Sequence, residues 1–248
     1  MENKLKDRVA WITGGGSGIG LACALELAQS GASVIVSGRR MEALEAAVER
    51  IGPRAYGLAL DISDANAVAN AASTILQRSG RIDILVNCAG TNVRDRQLSK
   101  VTPQTWRRIV DVNLNGAFNA VASVLPGMRA RGGGTIVNIA SWAAVFDVTV
   151  SGAAYSASKR AMIAMSNGIN MEECTHGIRS CVVCPAETAT EIMRSRPQPP
   201  SEEEMARMLQ PEDLGKTIRF VCEMPAHACI NEIIMSPTWN RLYVENRA

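Results

Sequence analysis

The chain has 248 residues, 47% of them hydrophobic and 20% charged, with a formal net charge of +2. So much apolar material excludes a disordered polyelectrolyte, and the near-neutral balance lacks the basic excess that nucleic acid or anionic lipid demands, so the expected partner is a small organic molecule, with no nucleic acid and no membrane. No apolar run nears the about 20 residues needed to cross a bilayer, Met1 to Arg8 is polar where a leader would be apolar, and seven cysteines suit a reducing, cytoplasmic setting better than a disulfide framework.

Short apolar runs alternate with helical patterns along the chain. The pattern predicts strand Val9–Thr13, helix Gly18–Ser30, strand Ser33–Ser37, helix Met41–Ile51, strand Ala55–Leu60, helix Asp64–Ser79 and strand Ile82–Asn87. It continues with one long helix Pro103–Arg131 opened by Thr102, strand Gly134–Ser141, helix Tyr155–Cys174, strand Arg179–Cys184, helix Pro211–Cys222 and strand Glu232–Ser236. Such alternation means βαβ units in a single α/β domain over residues 1–248, with a doubly wound parallel sheet covered on both faces.

Two segments stand outside that rhythm. Cys181 and Cys184 tempt a redox or metal reading, yet residues three apart on a strand point to opposite faces, which makes them two buried thiols. The run from Met193 to Glu204 is rich in proline and charge, and Ser201 with Glu204 has capping-box spacing, so a short helix should begin there. This excursion, about residues 190–210, reads either as a lid over a site or as a solvated loop.

The first predicted strand runs into Gly14-Gly-Gly-Ser17-Gly18-Ile19-Gly20 and then a helix. Glycines allow a tight turn and close backbone approach, while the free amides and positive dipole end of the helix attract a pyrophosphate. A strict GxGxxG spacing fails, since Ile19 or Leu21 occupies its last position; alone, the turn reads equally as a plain strand-to-helix connection. The second strand ends in Ser37-Gly38-Arg39-Arg40 without a carboxylate. Forked guanidinium donors there suit a 2′-phosphate, hence NADP rather than NAD, the alternative being ion pairs with Glu42 or Glu45.

Tyr155 and Lys159 are four apart on a predicted helix and so share a face, where an ammonium would favour the phenolate. Ser141 ends the fifth strand at the same edge of the sheet. With Thr13-Gly14-x-x-x-Gly18-Ile19-Gly20, Asp61-Ile62, Asn87-Cys-Ala89-Gly90, Asn113, Ser141, Tyr155, Lys159 and Pro185 through Thr190, nearly the whole chain resembles the short-chain dehydrogenase/reductase family. The resemblance implies a Rossmann-like fold, pyrophosphate on Gly14, Ser17, Gly18, Ile19 and Gly20, adenine against Asp61 and Ile62, and the nicotinamide half against Asn87, Ala89, Gly90, Pro185, Thr188 and Thr190. It also implies that Tyr155 moves a proton as hydride passes between cofactor and substrate, with Lys159 tuning it and holding the ribose, Ser141 binding the reacting oxygen and Asn113 holding a relay water. Asp61 alternatively caps the following helix, and Asn115 competes with Asn113 for its role. Cys88 and Ala186 depart from the family's usual asparagine and glycine.

The implied reaction interconverts a secondary alcohol and a carbonyl; a 3-oxoacyl thioester reductase and a non-catalytic dinucleotide sensor or scaffold are the alternatives. A homo-oligomer, tetramer or dimer, is implied through the long helices and last strand. His176 and His227 offer no zinc or Ser-His-Asp spacing, so no metal is expected. Thr91 to Leu98, Trp142 to Phe146 and the segment near Met193 are candidate pocket walls. Arg94, Arg96, Arg194 and Arg196 read first as solvated loop charges, with a clamp for an acid as the alternative.

Overall fold

In the computed structural model, which describes residues 3–194, 196 and 198–244, the strands are β1 (Val9–Thr13), β2 (Ser33–Gly38), β3 (Ala55–Ala59), β4 (Ile84–Asn87), β5 (Gly134–Ile139), β6 (Ile178–Pro185) and β7 (Glu232–Met235). The helices are α1 (Gly18–Gln29), α2 (Met41–Ile51), α3 (Ala65–Ser79), α4 (Pro103–Val110), α5 (Gly116–Arg131), α6 (Ala153–Glu173), α7 (Glu191–Arg194), α8 (Glu202–Arg207), α9 (Pro211–Glu223) and α10 (Arg241–Val244). All strand pairings are parallel, in the order β3-β2-β1-β4-β5-β6-β7.

Alternation along β1 sorts the core into two layers. Ala10 and Ile12 join Leu27 of α1, Leu44 of α2 and Ile218 of α9, whereas Val9 and Trp11 join Val68 and Ile75 of α3, Val124 and Met128 of α5 and Ile169 of α6. Each such buried side chain contributes about 1.5–3 kcal/mol relative to exposure. Cys181 packs in the first layer and Cys184 on the other side of the sheet with Met162, as strand alternation dictates. Burial pushes their thiols up to about 12 and about 11.

The long helix expected over 103–131 is interrupted. Residues Asp111–Asn115 form a π turn between α4 and α5, and such wide turns occur where a helix is forced to accommodate something. Here Asn113 is drawn inward: its Oδ1 accepts from Thr91 N at 2.7 Å and its Nδ2 donates to Thr91 O at 3.0 Å. One residue past the turn, Gly116 lies so close to Ile62 that a Cβ would meet its side chain at 2.9 Å.

Other boundaries shift for local reasons. β4 starts two residues late because Asp83 turns its carboxylate to accept from Val9 N at 2.9 Å and from Arg81. β5 stops at Ile139, and Ser141 opens a short 3₁₀ turn over Trp142–Ala144 by accepting from Ala143 N at 3.2 Å. α6 begins two residues before Tyr155. The Ser201–Glu204 capping box forms in both directions, at 3.2 and 2.7 Å, and starts α8. Crossovers reverse direction between β1 and β4, which opens a crevice at the carboxyl ends of these strands, the usual ligand position in such sheets.

Candidate active site

The crevice floor is made of backbone. Gly14 and Gly18 take positive φ, +68° and +52°, a region in which a side chain is strained. A Cβ on Gly14 would lie 2.9 Å from the Ala89 backbone, and one on Gly20 2.3 Å from the Gly14 carbonyl oxygen. Thr13 pins the two strands together: its Oγ1 accepts from Cys88 N at 3.1 Å and Ala89 N at 3.2 Å. Ser17, the residue preceding α1, makes no side-chain cap, so the first-turn amides of α1 are left for an anion.

On one side of this turn is a hollow of about 180 Å³, bordered by Gly14, Ser17, Arg39, Asp61, Ile62, Ala89 and Gly90. Asp61 accepts from Ser63 N at 3.0 Å and Ser63 Oγ at 2.6 Å, and these bonds hold its carboxyl below the usual range. It does not cap α3, because Asp64 does so, accepting from Asn66 N at 2.9 Å and Ala67 N at 3.0 Å. Arg39 is exposed on the rim, and Arg40 pairs with Glu191 at 3.7 Å; among the described residues neither pairs with Glu42 or Glu45.

The hollow continues into a chamber of about 390 Å³ that Gly18, Ile19, Gly20, Ser141, Tyr155, Lys159, Pro185, Thr188 and Thr190 line. Lys159 is 3% exposed; its Nζ donates to Ile139 O at 2.7 Å and stands 5.9 Å from the centre of the Tyr155 ring. Burial lowers its pKa to about 8. For Tyr155, burial raises the pKa, and the opposing influences are a hydrogen bond with Ser141 and the positive charges of Arg196 and Arg96. Desolvation thus prevails, and the positive charges that oppose it are those of Arg196 and Arg96 rather than the expected ammonium of Lys159.

Two residues assigned to the site lie behind its wall. Asn113 is 0% exposed, bound to Thr91 and, through Nδ2, to Ser158 Oγ at 3.1 Å, while Asn115 faces outward and donates to Asp111 at 2.8 Å. Asn87 is buried and donates to Asn138 Oδ1 at 2.9 Å, its own Oδ1 having no partner among the described residues. Cys88 replaces the family asparagine inside the chamber, where burial pushes its thiol up to about 12.

The four arginines considered above separate. Arg94 is exposed and Arg194 is an exposed partner of Glu202 at 3.6 Å. Arg96 and Arg196 both line the chamber, and Arg196 pairs with Glu187, which Arg241 also reaches at 2.6 Å. Glu187 and the C-terminal residues Arg241 and Leu242 escaped the sequence reading. Glu187 and Arg241 are 54 positions apart and belong to no spacing pattern, so only the fold unites them.

A profile of the short chain dehydrogenase family matches residues 8–200. The glycine betaine reductase ATRR of Emericella nidulans is 34% identical over 241 residues, 94% of this chain, and the chain spans 19% of that protein's length. A crystal structure of 3-ketoacyl-(acyl-carrier-protein) reductase from Brucella melitensis complexed with NADH superimposes with a TM-score of 0.87 at 27% identity, covering 94% of this chain and 98% of that one. The closed form of serine dehydrogenase complexed with NADP+ gives 0.87 at 28%, covering 94% and 96%. With the family profile matched over most of the chain and NAD(P)-bound neighbours sharing the fold, the chain belongs to the short-chain dehydrogenase/reductase family of NAD(P)-dependent oxidoreductases.

Proposed function

We propose that this oxidoreductase interconverts a secondary alcohol and a carbonyl with NADP as cofactor. The observation that carries the reading is the lining of one chamber by Ser141, Tyr155 and Lys159, continuous with the glycine cradle. The cradle fits a dinucleotide: its Cβ-free surfaces admit a pyrophosphate against backbone, and α1 offers uncapped amides. Gly14, Ser17, Gly18, Ile19 and Gly20 hold the pyrophosphate, Asp61 and Ile62 the adenine, and Ala89, Gly90, Pro185, Thr188 and Thr190 the nicotinamide half. When bound, the nicotinamide supplies or accepts the hydride.

Tyr155 is the general acid in reduction, giving its proton to the carbonyl oxygen, and the general base in oxidation. A raised pKa keeps the phenol protonated at neutral pH, which suits reduction. Ser141 donates to the same oxygen and stabilises its developing charge. Lys159, fixed on Ile139 O, presents a cation to the ribose and the phenol. Asn113 and Asn87 act from behind the wall, the first by holding the Thr91 backbone and the second by joining β4 to β5. Arg39 at the rim of the adenine hollow supports NADP over NAD.

Ile192, Met193 and Arg196, from the stretch at about residues 190–210, line the chamber and support the reading of that stretch as its lid. Exposed Trp106 and Phe118 on α4 and α5, with Phe220 on α9 and Ile234 on β7, support a homodimer or homotetramer through the long helices and last strand. The 3-ketoacyl neighbour supports a 3-oxoacyl thioester as the second substrate class. Following NADPH absorbance with ketones, aldehydes, 3-oxo esters and 3-oxoacyl thioesters tests the reading: turnover that Tyr155→Phe abolishes is expected. Tight NADPH binding with no turnover across the panel would overturn it in favour of a sensor.

A further inference from the structure

We propose that the substrate carries a carboxylate, which Arg96 and Arg196 hold while its carbonyl or alcohol faces Tyr155. This deepens the oxidoreductase reading above and rests on it. Arg96 is 8% exposed although it belongs to a loop. Two of its nitrogens brace neighbouring backbone, Nε on Val93 O at 2.7 Å and Nη1 on Val150 O at 3.4 Å, but Nη2 is buried with no partner among the described residues. A buried donor left unmatched is costly, and more so when it is charged.

The charges around it sharpen the case. Arg196 lines the same chamber, and both guanidiniums are close enough to Tyr155 to act on its phenol. The acid in this cluster, Glu187, is taken by Arg196 and Arg241 together. Glu191, also on the chamber's lining, pairs with Arg40, so Arg96 has no carboxylate partner among the described residues, and a substrate carboxylate is the group that would supply one. The planar, forked N–H donors of a guanidinium meet the two oxygens of a carboxylate, one to each. Trp142, Val148, Val150 and Met193 also line the chamber and give it an apolar surface suited to a short carbon chain. In reduction the hydride adds to the carbonyl carbon, the oxygen takes the Tyr155 proton, and the carboxylate is unchanged.

Matched pairs test this with the full-length chain and NADPH: acetoacetate, levulinate and 5-oxohexanoate, each against its methyl ester. For at least one chain length the acid is expected to exceed the ester at least tenfold in kcat/KM, mostly through KM. Arg96→Gln and Arg196→Gln are each expected to lower that acid-to-ester ratio at least fivefold. Since Arg96 also braces two carbonyls, the Arg196 variant keeps the test available if Arg96→Gln fails to fold. Esters turned over as well as acids throughout, or a ratio unmoved by the Arg196 variant, would overturn the clamp while leaving the oxidoreductase reading intact. If no carbonyl is turned over, that reading fails instead, and calorimetric titration of levulinate into the NADP complex decides the clamp: heat of binding that Arg196→Gln removes supports it, and no binding overturns it.

Discussion

The two ends of the crevice are built from different material. At the adenine end the shape is made by backbone: Gly14 and Gly20 let β1, α1 and the Ala89 turn approach within distances that no Cβ would allow, and Gly18 turns the chain at positive φ. At the chamber end the shape is made by side chains, and a polar chain runs beneath it from Asn87 to Asn138 at 2.9 Å, to Ser180 at 3.1 Å and to Ser166 at 2.7 Å, crossing β4, β5 and β6. Backbone contacts give one rigid cradle that any dinucleotide uses. Polar networks instead fix particular side chains in particular places, which is how specificity is set. The cradle tells what cofactor class binds, and the chamber tells what is done to which substrate.

Substitutions at the two ends should therefore fail in different ways. The largest effect is expected from Tyr155→Phe, which removes one oxygen and leaves the cradle untouched: kcat should fall by roughly 10²–10⁴-fold, the usual worth of general acid–base catalysis, while NADPH binding by fluorescence changes little. Loss of cofactor binding in step with turnover would show the two ends to be one unit. Next comes Gly20→Ala. Its methyl would be driven to 2.3 Å from the Gly14 oxygen, a backbone atom that cannot swing aside. Overpacking of this kind costs about 1–3 kcal/mol, read as a lower urea midpoint, and NADPH binding should weaken with it. A stable variant with weakened binding would mean that the turn yields locally without straining the sheet.

The same division explains what could be read before the fold was known. Strand and helix order followed from apolar periodicity, because a parallel sheet buried on both faces leaves near-continuous apolar runs such as Val9–Thr13. The cradle was legible because glycine spacing is itself the cause of its geometry, and Tyr155 and Lys159 because one helical turn joins them. The π turn was not: it arises from Asn113 reaching Thr91, 22 positions away, and from the fit of Gly116 against Ile62. Nor was the fate of the arginines. Arg94 and Arg96 are two residues apart in one loop, yet one is solvated and the other buried, a distinction made by contacts with Val93 and the distant Val150.

Lys159 tests whether the chamber holds a group that harms stability for the sake of chemistry. Its pKa falls from 10.5 to about 8 through burial, so between those values the unfolded chain binds more protons and stability should rise with pH. Below about pH 8 the buried ammonium is present and destabilising. Lys159→Met should then gain about 1–2 kcal/mol at pH 7, after allowance for the lost bond to Ile139 O, and the gain should vanish near pH 10. Turnover should be lost at both values. Urea titrations at the two pH values check this, and a variant less stable than wild type at pH 7 would contradict it.

The smallest effect tests the comparison at its weakest point, since the adenine end also contains side chains that the backbone argument does not cover. Arg39 projects from the rim of the hollow and is exposed, so a phosphate there remains partly hydrated and the charge-assisted bond is screened. Arg39→Ala should therefore lower the preference for NADPH over NADH only about five- to tenfold, through the NADPH KM, with kcat and the NADH constants nearly fixed. Raising the salt concentration should narrow the gap between wild type and variant, as it does for any exposed ion contact. If NADH affinity fell equally, Arg39 would be supporting the hollow itself rather than reading the phosphate, and cofactor choice would have to rest on the backbone after all.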